Sequence, residues 1–121
     1  MLSLPPAVRI YVCTRPADMR RSFDGLAGCV REWLGADPLS GHLFVFRNRS
    51  GDRVKVLYWD RDGLALWYKR LERGRFVLPA PGPDGRGVYL SAAELTMLLD
   101  GVDLASVKRR PRYRRPAAAS A

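Results

Sequence analysis

The stretch RVKVLYWDRDGLALWYKR, residues 53–70, is the part of the sequence that indicates the fold most directly. Residues 53–59 (RVKVLYW) and residues 64–70 (LALWYKR) are both rich in aliphatic and aromatic side chains, and Asp62-Gly63 lies between the two runs. An Asp-Gly pair flanked by such runs is typical of a type I′ hairpin turn. The stretch therefore predicts two antiparallel strands, and Asp60 could close the same turn with its side chain.

Further strands are predicted on both sides of this hairpin. Residues 42–47 (HLFVFR) form another apolar run, and the turn signal NRSGD joins it to residue 53, which makes a three-strand meander. Residues 8–13 (VRIYVC) alternate as a strand does. A shorter segment, residues 75–78, is predicted to be extended, and residues 88–90 are expected to return to the sheet after a Pro- and Gly-rich loop.

Two helices are predicted. Apolar residues between positions 19 and 34 recur at helical spacing, so we expect one long amphipathic helix, capped by Asp18 and carrying an Arg20–Asp24 ion pair. Ser91 and Glu94 form a capping box that opens a short helix through residue 100. The predicted fold class is α+β: an antiparallel sheet of four to six strands packed by one long helix, plus a short C-terminal helix. Residues 1–107 are predicted to form a single domain, and residues 108–121 are predicted to be a basic, disordered tail.

The charge is strongly asymmetric. Lysine and arginine total 21 against 12 acidic residues, a formal net charge of +9. Six of the basic residues lie in residues 108–115, so the tail carries +6 and the body, with 15 basic and 12 acidic residues, carries +3. Such a distribution favours a polyanion as partner, with DNA the first candidate.

Several other classes of protein are disfavoured. No apolar run approaches the roughly 20 residues of a membrane span, and the N-terminus lacks the features of a secretory signal, so a cytoplasmic protein is expected. Cys13 and Cys29 have no CxxC partner and His42 is the single histidine, so no metal, cofactor or small-molecule site is predicted and the thiols are expected to be buried and reduced. A metal-dependent nuclease would have to use Asp60, Asp62 and Glu72, although the first two are explained more simply by the turn.

Basic and aromatic side chains interleave along the hairpin. Strand alternation places Lys55 and Trp59 on one face of the first strand, and Trp67 and Lys69 on one face of the second. If these faces line up, the sheet offers phosphate contacts and base stacking; the alternative is ordinary outward charge beside a half-buried aromatic core, and the tail could be a solubilising extension. The predicted nucleic-acid-binding residues are Arg53, Lys55, Trp59, Trp67, Lys69, Arg70, Lys108, Arg109, Arg110, Arg112, Arg114 and Arg115.

Three strings in order carry a family resemblance: DMRRSFDGL from Asp18, DPLSGHLFVF from Asp37, and GDRVKVLYWDRDGLALWYKRLERGRF from Gly51. Over roughly residues 8–104 the chain resembles the small TnpB-type accessory protein ("Orf two") of the sixty-six family of bacterial insertion sequences, which is distinct from the RNA-guided nuclease of the same name. The resemblance implies a neighbouring DDE-type transposase as partner and no catalytic residues. The motif positions that match are Asp18, Arg20, Ser22, Phe23, Asp24, Trp59, Asp60, Gly63, Tyr68, Lys69, Arg70, Glu72 and Phe76.

Two functional hypotheses follow. The first is a non-catalytic, DNA-binding accessory factor that assists the transposase through the cations of the sheet and tail. The second is a protein-interaction adaptor that docks on the transposase through surface aromatics without binding DNA itself.

Overall fold

A computed structural model describes residues 7–80 and 87–101. The strands are β1 (Ile10–Val12), β2 (Leu43–Arg47), β3 (Arg53–Asp60), β4 (Gly63–Arg70) and β5 (Val88–Leu90). The helices are α1 (Phe23–Cys29), which continues as a π-helical segment (Val30–Leu34), and α2 (Ala92–Leu99). The predicted basic tail, residues 108–121, lies outside the described residues.

The five strands form one sheet in the order β4-β3-β2-β1-β5. The predicted meander of β2, β3 and β4 is confirmed, and so is the return of β5, which pairs antiparallel with β1. The expectation of a wholly antiparallel sheet is wrong, because β1 and β2 are parallel. The connection through α1 explains this difference, since a helical crossover carries the chain back to the end of the sheet from which β1 started.

The predicted long helix over residues 19–34 is also wrong. The α-helix begins only at Phe23, with Ser22 at its N-cap position, and Asp18 caps nothing. Ser22 has extended backbone angles (φ −114°, ψ −148°), and the two residues Met19 and Arg21 before it use their carbonyl oxygens to accept hydrogen bonds from the Lys55 ammonium. The predicted ion pair of Arg20 with Asp24 is replaced by a pair of Arg20 with Asp18.

The second predicted helix is confirmed. The Ser91 hydroxyl accepts a hydrogen bond from the Glu94 backbone N–H, and the Glu94 carboxylate accepts one from the Ser91 backbone N–H, so both halves of the capping box form. Gly101 follows the C-cap with φ of 86°, a left-handed conformation that glycine adopts without steric cost. The helix therefore starts and stops where its sequence signals lie.

Two predicted local features differ from the structure. Residues 75–78 are not a strand: the Phe76 N–H donates to the Gly51 carbonyl and the Arg47 guanidinium donates to the Phe76 carbonyl, so side-chain and loop contacts replace a strand ladder. In the hairpin, Asp60 pairs with Gly63, and Arg61 takes the positive φ of 55°. The turn is thus centred on Arg61 and Asp62, one residue earlier than the predicted Asp62-Gly63.

The sheet separates two apolar layers. On one side α2 and Phe76 pack over Val12, Val45 and Val56, all of them buried. On the other side α1 and the π-helical segment pack over Phe44, Phe46 and Leu57. Each buried large apolar side chain contributes about 1.5–3 kcal/mol to folding, so both faces of the sheet are committed mainly to the core.

Candidate nucleic-acid interface

Lys55 is the sequence-predicted contact residue that the structure places most differently. Its side chain is buried, and its ammonium donates hydrogen bonds of 2.8 Å to the carbonyl oxygens of Met19 and Arg21. The same nitrogen lies 4.7 Å from the centre of the Tyr68 ring. Lys55 therefore links the segment before α1 to the sheet, and its ammonium donates to protein carbonyls rather than facing solvent.

The other predicted sheet residues do not form one surface. Val54 pairs with Lys69 and Val56 pairs with Trp67, so Trp67 and Lys69 face the α2 side. Arg53, Lys55, Trp59 and Arg70 face the α1 side. The strand alternation agrees with the prediction, but the Lys55–Trp59 face of β3 and the Trp67–Lys69 face of β4 lie on opposite sides of the sheet, so the condition for a shared cationic surface is not met. Lys69 instead donates to the Leu99 carbonyl, where it serves the C-terminus of α2.

A different set of arginines gathers at one end of the sheet. The parallel strands β1 and β2 both end there, β3 starts there at Arg53, and β4 ends there at Arg70, directly opposite Arg53. Charges that are far apart in the sequence therefore meet. We call this the arginine end and define it by Arg15, Arg21, Arg47, Arg49, Arg53, Arg70 and Arg75.

Part of the arginine end is concave. Two adjoining pockets, of about 350 and 430 Å³, share Ala17, Asp18 and Arg49 in their walls. Arg15, Arg21 and Trp33 complete the first pocket, and Arg53 contributes to the second. We call the combined feature the arginine groove, defined by Arg15, Arg21, Trp33, Arg49 and Arg53.

The Trp33 ring makes cation–π contacts with two of these arginines. The guanidinium carbon of Arg15 lies 4.5 Å from the centre of the indole, and that of Arg21 lies 5.6 Å from it. Each such cation–π contact contributes about 0.5–1 kcal/mol at a partly exposed position. A guanidinium close to an aromatic ring keeps further N–H groups that can make bidentate contacts with phosphate oxygens.

The carboxylates near the groove already have partners. Arg20 donates to both oxygens of Asp18, and these bonds hold the pKa of Asp18 down at about 2. Bonds from Asn48 and Ser50 lower the pKa of Asp52. A further ion pair at this end joins Arg70 and Glu72. Asp18 and Glu72 are thus paired with Arg20 and Arg70, and Asp52 accepts from neutral donors, whereas no carboxylate pairs with Arg15, Arg21 or Arg49 among the ion pairs of the described residues.

Arg47 belongs to the same end but has a structural role. Its guanidinium is half-buried and donates a 2.7 Å hydrogen bond to the Phe76 carbonyl. Burial, followed by repulsion from Arg75, lowers its pKa from the ordinary value. Arg47 therefore fixes the chain around Phe76, and the exposed arginines around it remain the candidate contacts.

The structure does not bring together the carboxylates that a nuclease would need. Asp60 and Asp62 lie at the β3–β4 turn, whereas Glu72 follows the opposite end of β4, about 25 Å away at the usual rise per residue. Within residues 7–80 and 87–101, no three His, Cys, Asp or Glu side chains converge as a possible metal site. Asp60, Asp62 and Glu72 are therefore too far apart to form the metal site of a nuclease together.

The two cysteines fit the expectation of buried thiols. Both are free and buried, and burial raises the pKa of each thiol above its ordinary value. A guanidinium nitrogen of Arg21 also lies 3.2 Å from the Cys29 sulfur and partly offsets that rise.

Neither of the helices in the described parts of the chain has the length and apolar content needed to cross a bilayer.

Sequence reasoning missed Arg15, Arg21, Arg49 and Trp33. Arg49 lies within the NRSGD turn, and Arg15 lies two residues after the first predicted strand, so both were visible as polar residues near strand ends. They could have been grouped only by recognising that β1 and β2 are parallel. That pairing is what puts their two C-terminal ends side by side.

The chain belongs to a family of insertion-sequence accessory proteins: the family model described as IS66 Orf2 like protein matches residues 8–109. This confirms the family resemblance seen in the sequence, and the family is an accessory one rather than a known catalytic one. The chain is 41% identical over 111 residues to the uncharacterized protein y4jC of Sinorhizobium fredii, covering 92% of this chain and 93% of that protein. It is 46% identical over 103 residues to the uncharacterized protein y4hO of the same organism, covering 85% and 88% respectively. No solved structure matches the chain.

Proposed function

We propose that this insertion-sequence accessory protein binds DNA through the arginine groove and in that way assists the DDE-type transposase of its element. The observation that carries the proposal is the groove itself: a concave surface in which Trp33 holds Arg15 and Arg21, with Arg49 beside them. Arginine guanidinium groups in a fixed orientation are suited to phosphate recognition. The predicted tail adds further positive charge to the same task, since it holds six of the 21 basic residues.

The family membership supplies the setting of the proposal. An accessory protein of an insertion sequence acts near the ends of a mobile DNA element, where a transposase is also present. A groove that reads phosphates positions a protein on DNA without giving it sequence specificity. We therefore propose a role in holding or presenting DNA, with bond breaking left to the transposase.

Salt dependence of DNA binding tests this proposal. Each phosphate neutralised on a duplex contributes about 0.9 to the slope of log affinity against log salt concentration. We expect Arg15→Ala combined with Arg49→Ala to flatten that slope by about 1.8, measured by fluorescence anisotropy on a labelled duplex with the full chain. The matched control is Arg31→Ala combined with Arg61→Ala, which removes two exposed arginines outside the groove and should leave the slope unchanged.

The two pairs of variants separate the possible outcomes. Equal slopes for wild type and the groove variant would remove the groove from the proposal. If the wild-type chain binds no duplex while it co-purifies with the transposase in high salt, the adaptor hypothesis replaces DNA binding. Deletion of residues 108–121 measures the share of the tail separately, with an expected loss of about 5 in the slope if its six cations each contact a phosphate.

A further inference from the structure

A row of aromatic side chains lies on the α1 side of the sheet, at the β1–β5 edge. The helix α1 contacts β3 and β4, at the other edge. Tyr11 is opposite Tyr89 in the β1–β5 pairing and opposite Phe44 in the β1–β2 pairing, so the three side chains form one cross-strand row. We call Tyr11, His42 and Tyr89, with Phe44 at the inner end of the row, the aromatic platform.

The rings of the platform contact each other. The Tyr11 ring centre lies 4.6 Å from that of Tyr89, 5.2 Å from that of Phe44 and 5.8 Å from that of His42. Phe44 is fully buried and anchors the row, whereas Tyr89 is 61% exposed, the highest value among the large hydrophobic residues in the described parts of the chain. The platform is thus fixed at its inner end by Phe44, half-buried at Tyr11 and His42, and exposed at Tyr89.

Hydrogen bonds and charge define its surroundings. The Arg9 backbone N–H donates a 2.9 Å hydrogen bond to Nδ1 of His42, which fixes the imidazole plane. The Arg9 guanidinium carbon lies 5.9 Å from the centre of the Tyr89 ring. Contact with the Tyr89 side chain, and then burial, raise the pKa of the Tyr11 phenol, so the phenol stays uncharged near neutral pH. An uncharged aromatic surface with one adjacent cation results.

Exposed aromatic rings on a sheet, flanked by positive charge, are the arrangement on which single-stranded nucleic acids stack their bases. The bases of a duplex are already stacked on each other and cannot use such a surface. The platform also lies on the same side of the sheet as Arg53 in the arginine groove. Tyr11 and Arg15 are separated by four positions, about 13 Å along an extended chain, so a few nucleotides of one strand could reach both features.

We infer that the aromatic platform stacks an unpaired base of single-stranded DNA, with Tyr89 as the outer ring and Arg9 beside the strand. The inference rests on the proposed function, because the arginine groove supplies the phosphate contacts that bring the strand to the platform. It extends that function by selecting unpaired over paired DNA. The ends of a mobile element that is being excised or inserted offer such unpaired bases.

The test compares a single-stranded oligonucleotide carrying 2-aminopurine with the duplex of the same sequence, using the full chain. We expect Tyr89→Ala to weaken single-strand binding by at least about fivefold and to leave duplex binding within about twofold, since stacking contributes to the former alone. Tyr89→Phe keeps the ring and should retain single-strand affinity and the quenching of 2-aminopurine. Phe23→Ala, which removes another exposed ring at the start of α1, serves as the control and should change neither affinity.

The outcomes distinguish the inference from the function on which it rests. If Tyr89→Ala leaves single-strand affinity and 2-aminopurine quenching unchanged while the salt-dependent duplex binding persists, the platform is overturned and the groove stands. If the wild-type chain binds neither form, both proposals fail together. If the wild-type chain is a dimer that Tyr89→Ala converts to a monomer at unchanged single-strand affinity, the platform is a protein interface and the inference is wrong.

Discussion

Replacing Lys55 by methionine tests whether the ammonium of this residue stabilises the fold or contacts DNA. The change keeps the length of the side chain but removes two hydrogen bonds from a charged donor, one to the Met19 carbonyl and one to the Arg21 carbonyl, each 2.8 Å long. Hydrogen bonds to charged groups contribute about 1.5–3 kcal/mol each. Relief from burying an ammonium offsets part of the loss, so we expect the free energy of unfolding to fall by about 2–4 kcal/mol.

Thermal unfolding followed by circular dichroism measures this effect. For a domain of this size, a loss of 2–4 kcal/mol lowers Tm by about 10–20 °C, which still leaves the variant folded at 25 °C. Lys69→Met is the matched control: the Lys69 ammonium makes a single, longer bond of 3.3 Å to the Leu99 carbonyl, so we expect a change below about 1 kcal/mol. A Lys55→Met variant with unchanged Tm, or one whose salt slope for DNA binding drops by about 1, would refute the structural role.

Two further predictions concern the carboxylate at the groove and the glycines. The side chain of Arg20 is the main reason that the Asp18 pKa is lowered from 3.8 to about 2, so the stabilisation from this pair is fully present above pH 3.8 and is lost as the pH falls through about 2. A carbon-13 NMR titration of Asp18 should give a midpoint near 2 in the wild type and a midpoint closer to 3.8 in Arg20→Ala. A wild-type midpoint of 3.8 would contradict the ion pair. A Cβ at Gly87, where φ is 151°, would lie 2.6 Å from the Val12 carbonyl oxygen, whereas one at Gly28 meets nothing within 4 Å. Chemical denaturation should therefore show Gly87→Ala destabilised by more than about 1 kcal/mol and Gly28→Ala stabilised by about 0.5–1 kcal/mol, and equal effects would refute the close approach at Gly87.

Local signals in the sequence predicted the local structure well. The meander of β2, β3 and β4 follows from alternating apolar residues between turn signals, and the start of α2 follows from the capping box of Ser91 and Glu94. These features depend on neighbours that are a few residues apart. Patterns of that range are what a sequence displays directly.

The features that failed depend on partners distant in the sequence. The parallel pairing of β1 with β2 cannot be read from either strand alone. The segment before the helix is extended at Ser22 and is held by Lys55, more than thirty residues further along the chain, which donates to the carbonyls of Met19 and Arg21. The same residue looked like a surface cation from strand alternation, because alternation assigns a face but does not reveal what covers it.

The candidate site illustrates the same limit. Charge alone directed attention to the dense basic run after residue 107 and to the hairpin. The groove draws instead on Arg15 and Arg21, which lie in the connection between β1 and α1, and on Arg49, which lies in the connection between β2 and β3. Only the topology of the sheet places those connections next to one another.

Chemical footprinting of arginines measures directly whether the arginine groove contacts DNA phosphates. Full-length protein is treated with phenylglyoxal with and without a duplex from the end of an insertion sequence, and the modified arginines are quantified by mass spectrometry. We predict protection of the groove and continued modification of exposed arginines elsewhere: Arg15, Arg21, Arg49 and Arg53 protected, Arg31 and Arg61 modified as before. Protection of Arg31 and Arg61 with a groove that stays reactive would contradict the account.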